Sequence, residues 1–264
     1  MAADTKIEWA ARQLVDGTLQ AGFTFNPWIG CTDVSPACTN CYARTLMKVR
    51  HKRAVWGAGE DRARTSEAYR RQPARWNRLA METCSWATVF CLSLGDIWDV
   101  EVDEMWRREL METIEHTPAL TWLLLSKRIG NAKRMTDPLR GHRTLPPNAA
   151  LGATMVTQKE WDRDAGKLAE SKHWSDARFT FASVEPMLEP MNIRDNTPDW
   201  VICGGESGPG ARDWEGFDDA ARSLRDQCAE QGKAFFMKQM PKKRPIPPDL
   251  MVRQFPPQLT GMPL

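Results

Sequence analysis

Long apolar runs are missing from this chain of 264 residues. No stretch approaches the roughly 18 consecutive apolar residues that a membrane-crossing helix needs. The beginning of the chain shows no apolar leader either, because Met1 is soon followed by Lys6, Glu8 and Arg12. We therefore expect a cytoplasmic protein that has no membrane partner.

A strong charge of one sign is also absent. The chain has 36 Lys and Arg residues against 34 Asp and Glu residues, a formal net charge of +2. This balance excludes a polycation that coats nucleic acid indiscriminately, so an acidic partner would need a local basic patch. The seven cysteines are an odd number, whereas disulfide frameworks use cysteines in pairs. Together with the missing leader, this predicts thiols that serve as ligands or core residues in a reducing compartment.

The most informative segment holds three cysteines, Cys31, Cys38 and Cys41, in a C-x6-C-x2-C pattern. A loop of this length can fold three thiolates around one soft metal centre. A closed structural zinc site takes four protein ligands, whereas three leave one position open for water, substrate or cofactor. The count favours a [4Fe-4S] cluster with one iron open to S-adenosylmethionine, with a zinc site completed by a distant fourth ligand or a metal-free loop as the alternatives. The remaining cysteines fall in or beside apolar segments and are predicted to be core residues: Cys84, Cys91, Cys203 and Cys228.

Short apolar runs alternate with amphipathic stretches along most of the chain. The runs predict strands at 23–29, 88–92, 121–125, 150–153, 179–184, 200–203 and 234–237. Helical spacing relates Trp106 to Leu110 and Ile114, and Gly232 ends a helix that begins near Phe217. Such alternation predicts a parallel sheet covered by helices. We expect one α/β domain over residues 1–264, a partial (β/α) TIM-like barrel of about six to seven parallel strands. A doubly wound open sheet is the alternative.

Three segments depart from this alternation. Residues 1–22 carry a weak amphipathic pattern that favours a helix only slightly. The tail at 241–264 has seven prolines, which excludes a regular helix or a central strand, and we expect it to wrap the surface in extended form. A basic insertion is predicted at 44–86.

Within this insertion, eleven Lys or Arg residues between positions 44 and 78 face three acidic residues. Trp56, Tyr69 and Trp76 are interleaved with these charges. Basic side chains that neutralise phosphates, mixed with rings that stack on bases, suit a single-stranded or flipped-out nucleic acid. The alternative is a solvated helical face whose rings turn to the core.

Polar and charged residues follow the predicted strands at their carboxyl ends, where barrel enzymes carry their active sites. We take Lys127, Glu185 and Lys238 as candidate catalytic residues, with structural ion pairs as the alternative. The candidate cofactor-binding residues are Asp96, Ser126, Arg128, Thr154, Gly204, Gly205, Glu206 and Ser207.

Each of these residue types suits a particular ligand group. Lys127 and Arg128 can pair with a carboxylate or a phosphate. The glycines after the sixth strand let a ligand approach the backbone, and Glu206 can accept from an ammonium or a ribose hydroxyl. Thr154 and Thr157 can bind ribose hydroxyls. Strand-to-helix turns and helix caps have the same residue types, so each assignment has a structural alternative.

Six blocks of sequence resemble the hallmark blocks of the phage-encoded radical-SAM-like family, found in phages and bacteria. In chain order the blocks are residues 6–9, 26–36, 38–43, 126–128, 183–188 and 199–212. The resemblance implies a partial (β/α) barrel, a [4Fe-4S] cluster on the three cysteines and S-adenosylmethionine across the strand ends. It also implies that Asp96 lies at the level that holds the methionine amino group.

The resemblance further implies that a reduced cluster passes one electron to S-adenosylmethionine, and that the resulting radical takes a hydrogen atom from an unactivated carbon. Some proteins of this wider group resemble radical isomerases that rework amino-acid-modified thymidine in phage DNA. The expected substrate is thus a nucleic acid base or a base-linked amino acid. DNA is the expected partner, with an electron donor such as flavodoxin or ferredoxin, in the host cytoplasm.

Two positions depart from the usual radical SAM pattern, which has three residues between the first two cysteines and an aromatic residue before the third. Here six residues separate Cys31 from Cys38, and Asn40 precedes Cys41, with Tyr42 just after it. Two alternatives stay open. One is a radical SAM enzyme that acts on a small molecule, peptide or tRNA, and the other is a non-catalytic zinc-stabilised binding module.

Overall fold

The computed structural model describes residues 5–50, 56–140 and 145–260, with the backbone alone for 48–50 and 137–140. One seven-stranded sheet forms its centre. The strands are β1 (Phe23–Phe25), β2 (Ala87–Cys91), β3 (Leu120–Ser126), β4 (Ala149–Thr154), β5 (Thr180–Val184), β6 (Trp200–Gly204) and β7 (Ala234–Gln239).

The order of strands in this sheet is the order of the chain, from β1 at one edge to β7 at the other. Every neighbouring pair is parallel. A doubly wound sheet reverses its winding at a switch point, and these seven strands contain no reversal. The sheet is therefore a curled half-barrel, which confirms the predicted α/β class and the partial barrel.

Five helices provide crossovers between the strands. They are α1 (Gln72–Glu82), α2 (Glu104–Glu115), α3 (Ala132–Arg140), α4 (Gln158–Trp174) and α5 (Phe217–Glu230). Asp103 and Thr157 cap the amino ends of α2 and α4, because their side chains accept from Met105 N and Glu160 N. The predicted apolar stripe of α5 is buried, and Gly232 follows that helix with a φ of 63°. The connection from β5 to β6 has no α-helix.

The amino-terminal segment differs from the weak helix that its pattern favoured. It forms a 3-10 turn at Glu8–Ala10 and a two-stranded hairpin of Arg12–Gln13 with Leu19–Gln20. Trp9 is the reason that this segment stays on the sheet, since its buried ring lies 4.6 Å from the ring of Phe90.

The predicted strand 23–29 is too long. It ends at Phe25, and Trp28–Ile29 pairs instead with Ala63–Arg64 in an antiparallel ribbon. Pro27 explains the break, because proline has no N–H to continue a ladder. Short helical turns complete the described chain: Pro36–Cys38, Tyr42–Arg44, Thr45–Arg50, Glu67–Arg70, Ile129–Asn131, Pro241–Lys243, Pro248–Leu250 and Pro257–Leu259.

Alternate residues of the strands enter two separate apolar cores. In β3, Trp122 and Leu124 pack with the helices, whereas Leu123 faces a second core that contains Trp9. The tail closes this second core, since Phe255 lies 5.7 Å from the ring of Trp200. The amino-terminal segment and the tail therefore cover the sheet face that the helices do not. Among the described residues, no helix has the length and apolarity to cross a membrane.

Candidate functional site

A cavity of about 410 Å³ lies at the carboxyl ends of the strands, and we call it the carboxyl-edge cavity. This volume is within the range of small-molecule sites, roughly 300–1,000 Å³. All three cysteines of the motif line it, together with most of the candidate residues at the strand ends. The candidates that line it are Asp96, Ser126, Lys127, Thr154, Glu185, Gly205, Glu206, Ser207 and Lys238.

The cysteine loop, residues 31–41, begins after the Trp28–Ile29 strand. Gly30 turns the chain with a φ of 117°, and its N–H donates to Leu94 O at 3.0 Å. Ser35 caps the turn Pro36–Cys38 by accepting from Ala37 N at 3.1 Å. Cys31, Cys38 and Cys41 are free thiols, of which Cys38 is buried and the other two are half-buried. The loop thus presents three reduced sulfurs to one cavity.

Arg128 does not line the cavity, but its side chain contacts Cys31, the first cysteine of the loop. Its Nη1 lies 3.3 Å from Cys31 Sγ, and its Nη2 donates to Thr32 O at 2.6 Å. The same guanidinium pairs with Asp96 at 3.1 Å. Burial raises the pKa of Cys31 to about 12, and the nearby Asp96 carboxylate adds to the rise, while Arg128 opposes it. Arg128 therefore favours the thiolate at an otherwise unfavourable position.

A second buried ion pair supports the same part of the loop. Arg62 Nη2 lies 2.8 Å from Asp99 Oδ2, and the two side chains are 0% and 1% exposed. The same nitrogen of Arg62 donates to Thr32 Oγ1 at 2.7 Å. Arg128 is also 3.9 Å from Asp99. Arg62, Asp96, Asp99 and Arg128 form one buried group around Cys31 and Thr32, which we call the Cys31 network.

Asp96 makes several hydrogen bonds within the protein. Its carboxylate accepts from Ser126 Oγ at 2.7 Å, Lys127 N at 2.9 Å and Trp98 N at 3.0 Å. These bonds, with the Arg128 pair, join the ends of β2 and β3. The structure therefore places Asp96 as an organiser of the cavity wall.

Glu206 connects the end of β6 to the cysteine loop. Its carboxylate accepts from Arg212 N, Nε and Nη2 at 2.8, 2.9 and 2.6 Å, and from Asn40 Nδ2 at 2.9 Å. Arg212 also donates to Pro36 O at 3.1 Å. Burial by itself would raise the pKa of the Glu206 carboxyl, but the bonds from Arg212 and Asn40 hold that pKa below its usual value. Asn40, at the position usually aromatic, thus holds the loop against β6.

Glu185 and Lys238 form an ion pair across the ends of β5 and β7. Gly204 lies outside the cavity lining and provides the room for this pair, because a Cβ there would be 3.1 Å from Glu185 Cγ. Both side chains are partly exposed, at 17% for Glu185 and 28% for Lys238. This pair is thus accessible to a ligand in the cavity.

Two cavity residues have polar groups that find no partner among the residues that the structure describes. Thr154 Oγ1 is buried and makes no hydrogen bond. The Lys127 ammonium forms no ion pair with any residue that the structure describes. Because buried polar groups are normally satisfied, Thr154 is a position from which a polar ligand can gain a bond. Lys127 is half-buried, so its ammonium can reach a ligand in the cavity.

The three aromatic rings of the basic segment lie in different parts of the structure. Trp76 is buried and stacks on Phe23 at 4.4 Å, and the Tyr69 ring stacks on Phe25 at 5.5 Å. These two rings therefore turn to the core, as the alternative interpretation of the basic segment predicted. Trp56 alone of the three lines the carboxyl-edge cavity. Lys52 and Arg53 lie outside the described residues.

Several other assignments need correction or addition. Cys84 is exposed with a φ of 46° and is not a core residue, whereas Cys91, Cys203 and Cys228 are buried as predicted. Thr157 caps α4 and does not line the cavity. Sequence reasoning missed Asp99 and counted Arg62 only as part of the basic segment. The one available signal was the order Asp96-Ile97-Trp98-Asp99, with two acids beside large apolar residues.

The donor set is suited to iron and sulfur, because three free thiols line one wall of a cavity with an arginine donor to one sulfur. Within the described ranges, no group of three or more His, Cys, Asp or Glu side chains converges on a single-ion position. Cysteines that share a four-iron cluster bind different irons, so their sulfurs are further apart than ligands of one ion. Cys31, Cys38 and Cys41 are the described residues that could hold such a cluster.

Comparison with known proteins places the chain in a family. No curated protein is similar enough to the chain to count as a relative. A family model described as "Protein of unknown function (DUF5131)" matches residues 4–250. The matched range contains the cysteine loop, all seven strands and every residue that lines the carboxyl-edge cavity. The chain therefore belongs to the family described as protein of unknown function DUF5131.

Proposed function

We propose that the protein is a radical SAM enzyme of the phage-encoded radical-SAM-like type. It would carry a [4Fe-4S] cluster on Cys31, Cys38 and Cys41 and use S-adenosylmethionine to abstract a hydrogen atom. One observation carries the proposal: three free thiols face one cavity at the carboxyl edge of a half-barrel. That edge is where barrel enzymes hold their reactants.

The residues of the cavity have separate tasks in this proposal. The bound groups supply one-electron reduction of a sulfonium and hydrogen-atom abstraction. Arg128 orients Cys31 and stabilises its thiolate, and Asp96 holds Arg128 and Ser126 in place. Lys127 is the cavity cation for the carboxylate of S-adenosylmethionine, and Thr154, whose hydroxyl has no partner in the described part of the chain, is the hydroxyl for its ribose. Gly205 and Ser207 give the ligand access to the backbone after β6.

Glu185 and Lys238 are the candidate catalytic pair on the substrate side. Their partial exposure leaves them able to exchange their mutual bond for bonds to a substrate. Trp56 at the same cavity offers a ring on which a base can stack. These two features support a nucleic acid base or base-linked amino acid as the substrate. The resemblance to the radical-SAM-like family adds the proposals of an isomerisation as the reaction and a flavodoxin or ferredoxin as the electron donor.

The test of the radical SAM proposal is a single turnover assay. Protein purified and reconstituted without oxygen is analysed for iron and sulfide, reduced with dithionite and incubated with S-adenosylmethionine. We expect 5'-deoxyadenosine, detected by mass spectrometry, from the natural chain and none from the Cys31→Ala, Cys38→Ala, Cys41→Ala variant. Cys84→Ala is the matched control, because Cys84 is exposed and does not line the cavity. A colourless protein with stoichiometric zinc would instead support a non-catalytic binding module.

The substrate class needs its own experiment. We expect Arg50→Ser, Lys52→Ser, Arg53→Ser, Arg70→Ser and Arg71→Ser together to weaken binding to single-stranded DNA and to reduce its salt dependence. A variant with Lys133→Ser, Arg134→Ser, Lys159→Ser, Arg194→Ser and Lys243→Ser removes the same number of exposed positive charges and is the control. Unchanged DNA binding and turnover in the first variant would reject the DNA substrate and favour a small molecule, peptide or tRNA.

A further inference from the structure

Cys31 has surroundings that include four buried charges. Arg128 donates to its sulfur at 3.3 Å through a guanidinium that is 7% exposed. Asp96 and Asp99 lie 3.1 and 3.9 Å from the same guanidinium, and they are 5% and 1% exposed. Arg62 pairs with Asp99 at 2.8 Å. Two positive and two negative buried charges therefore lie beside Cys31, and their sum is zero.

Buried charges act strongly on a nearby group because little water screens them. Reduction of a four-iron cluster adds one electron and so one negative charge. A cation that donates to a cysteine sulfur stabilises this reduced form, and an unbalanced carboxylate destabilises it. Hydrogen bonds to the sulfurs and local charge are established determinants of iron–sulfur potentials in general.

We infer that Arg128 and Asp99 set, with opposite signs, the reduction potential of the group bound at Cys31. Arg128 acts directly on the sulfur, and Asp99 acts through the buried negative charge that it places beside the Arg128 and Arg62 guanidiniums. This inference rests on the proposed function, because it requires a cluster on the cysteine loop. The electron comes from the donor protein, or from dithionite in the experiment, and no bond is made or broken in this step.

The experiment is a redox titration of reconstituted protein, followed by electron paramagnetic resonance of the reduced cluster. We expect Arg128→Gln to lower the equilibrium constant for one-electron reduction by about tenfold, a shift of about 59 mV to lower potential. Asp99→Asn retains an oxygen that accepts from Arg62 but removes the negative charge. We expect a shift of similar size to higher potential.

Matched variants separate this effect from a general loss of structure. Arg128→Lys keeps the positive charge, so its potential should remain near that of the natural chain. Asp164→Asn removes another buried carboxylate, which pairs with Arg163 and Lys167 on α4, and should leave the potential unchanged. Loss of structure alone would not give shifts of opposite sign. If Arg128→Gln does not fold, Asp99→Asn still decides: a shift to higher potential supports the inference, and an unchanged or lower potential overturns it.

The outcomes distinguish the inference from the function on which it depends. A natural chain that binds no iron and sulfide overturns both. A cluster that forms and cleaves S-adenosylmethionine, with Arg128→Gln and Asp99→Asn at the natural potential, overturns the inference alone. Shifts of the same sign in both variants also contradict it.

Discussion

The two halves of the carboxyl-edge cavity hold their charges in different ways. Behind the β2 and β3 ends, the Arg62–Asp99 pair is fully buried, at 0% and 1% exposure. At the β5 and β7 ends, the Glu185–Lys238 pair is 17% and 28% exposed. The first pair serves protein atoms of the cysteine loop, whereas the second faces the cavity.

This difference separates a supporting half from a reacting half. A buried charge that loses its partner has no water to replace it, so the Cys31 network must stay assembled for the loop to keep its place. A partly exposed pair can exchange its bond for water or a ligand at little cost. We therefore expect substitutions in the first half to reduce stability and substitutions in the second half to reduce activity.

The largest stability loss is expected from Asp99→Ala. The substitution leaves the Arg62 guanidinium buried without its carboxylate, and such breaks cost about 3–5 kcal/mol. Urea unfolding followed by circular dichroism measures the free energy of unfolding. Asp226→Ala is the control, because Asp226 is 59% exposed in its pair with Arg225, and its loss should stay within about 1 kcal/mol. Equal losses in the two variants would remove the distinction between the halves.

Gly205→Ala should have the next largest effect. A Cβ at this position would lie 2.1 Å from Pro241 N, so the backbone after β7 must move. Overpacking of this kind costs about 1–3 kcal/mol. At Gly130 the nearest atom is the flexible Lys167 Nζ at 3.5 Å, and Gly130→Ala should change the unfolding free energy by less than about 0.5 kcal/mol. If the two alanine variants have the same free energy of unfolding, the close approach of Gly205 and Pro241 does not restrict the side chain at position 205.

Glu206→Gln should reduce stability by about 1–2 kcal/mol at pH 7, because the carboxylate loses charge-assisted bonds from Arg212 and Asn40. The folded pKa of Glu206 is lowered, so its contribution is present above the unfolded value of about 4.3 and is lost as the pH falls through the folded pKa. The difference between the natural chain and the variant should therefore shrink in acid. Urea unfolding between pH 7 and pH 3 tests this, and a difference that grows in acid contradicts it.

The smallest stability change is expected from Glu185→Gln. The pair with Lys238 is partly solvated, so the unfolding free energy should change by less than about 1 kcal/mol. Glu185 is a candidate catalytic residue at the cavity, so product formation should fall by about a hundredfold, the lower end of what one positioned acid or base contributes. Glu189→Gln is the control, since Glu189 does not line the cavity. Full activity in Glu185→Gln would show that the Glu185–Lys238 pair takes no part in the reaction.

The strands were predictable from the sequence because buried parallel strands are apolar on both faces. The runs at 121–125 and 200–203 match β3 and β6 to within one residue at each end. Their polar ends could be placed together for the same reason, since parallel strands in chain order end at one edge. That is why Asp96, Thr154 and Lys238 line one cavity.

Contacts between distant residues were not predictable in this way. Asn40 and Glu206 are 166 positions apart, and Arg62 and Asp99 are 37 apart. No local pattern distinguishes the buried Arg62 from the exposed Arg71, although both belong to the same basic segment. Cys84 illustrates the converse, because an apolar neighbourhood in sequence predicted burial and the left-handed turn after α1 exposes it.

The sequence by itself determined the alternation of strands and helices, the α/β class and the identity of the three thiols, because these follow from periodicity and spacing along the chain. Only the tertiary structure decided between a half-barrel and a doubly wound sheet, and which charges support the cysteine loop and which remain accessible in the cavity. The physical reason is burial: an arginine or a carboxylate acts as a support or as a reactive group according to how much water and which partners the fold leaves around it.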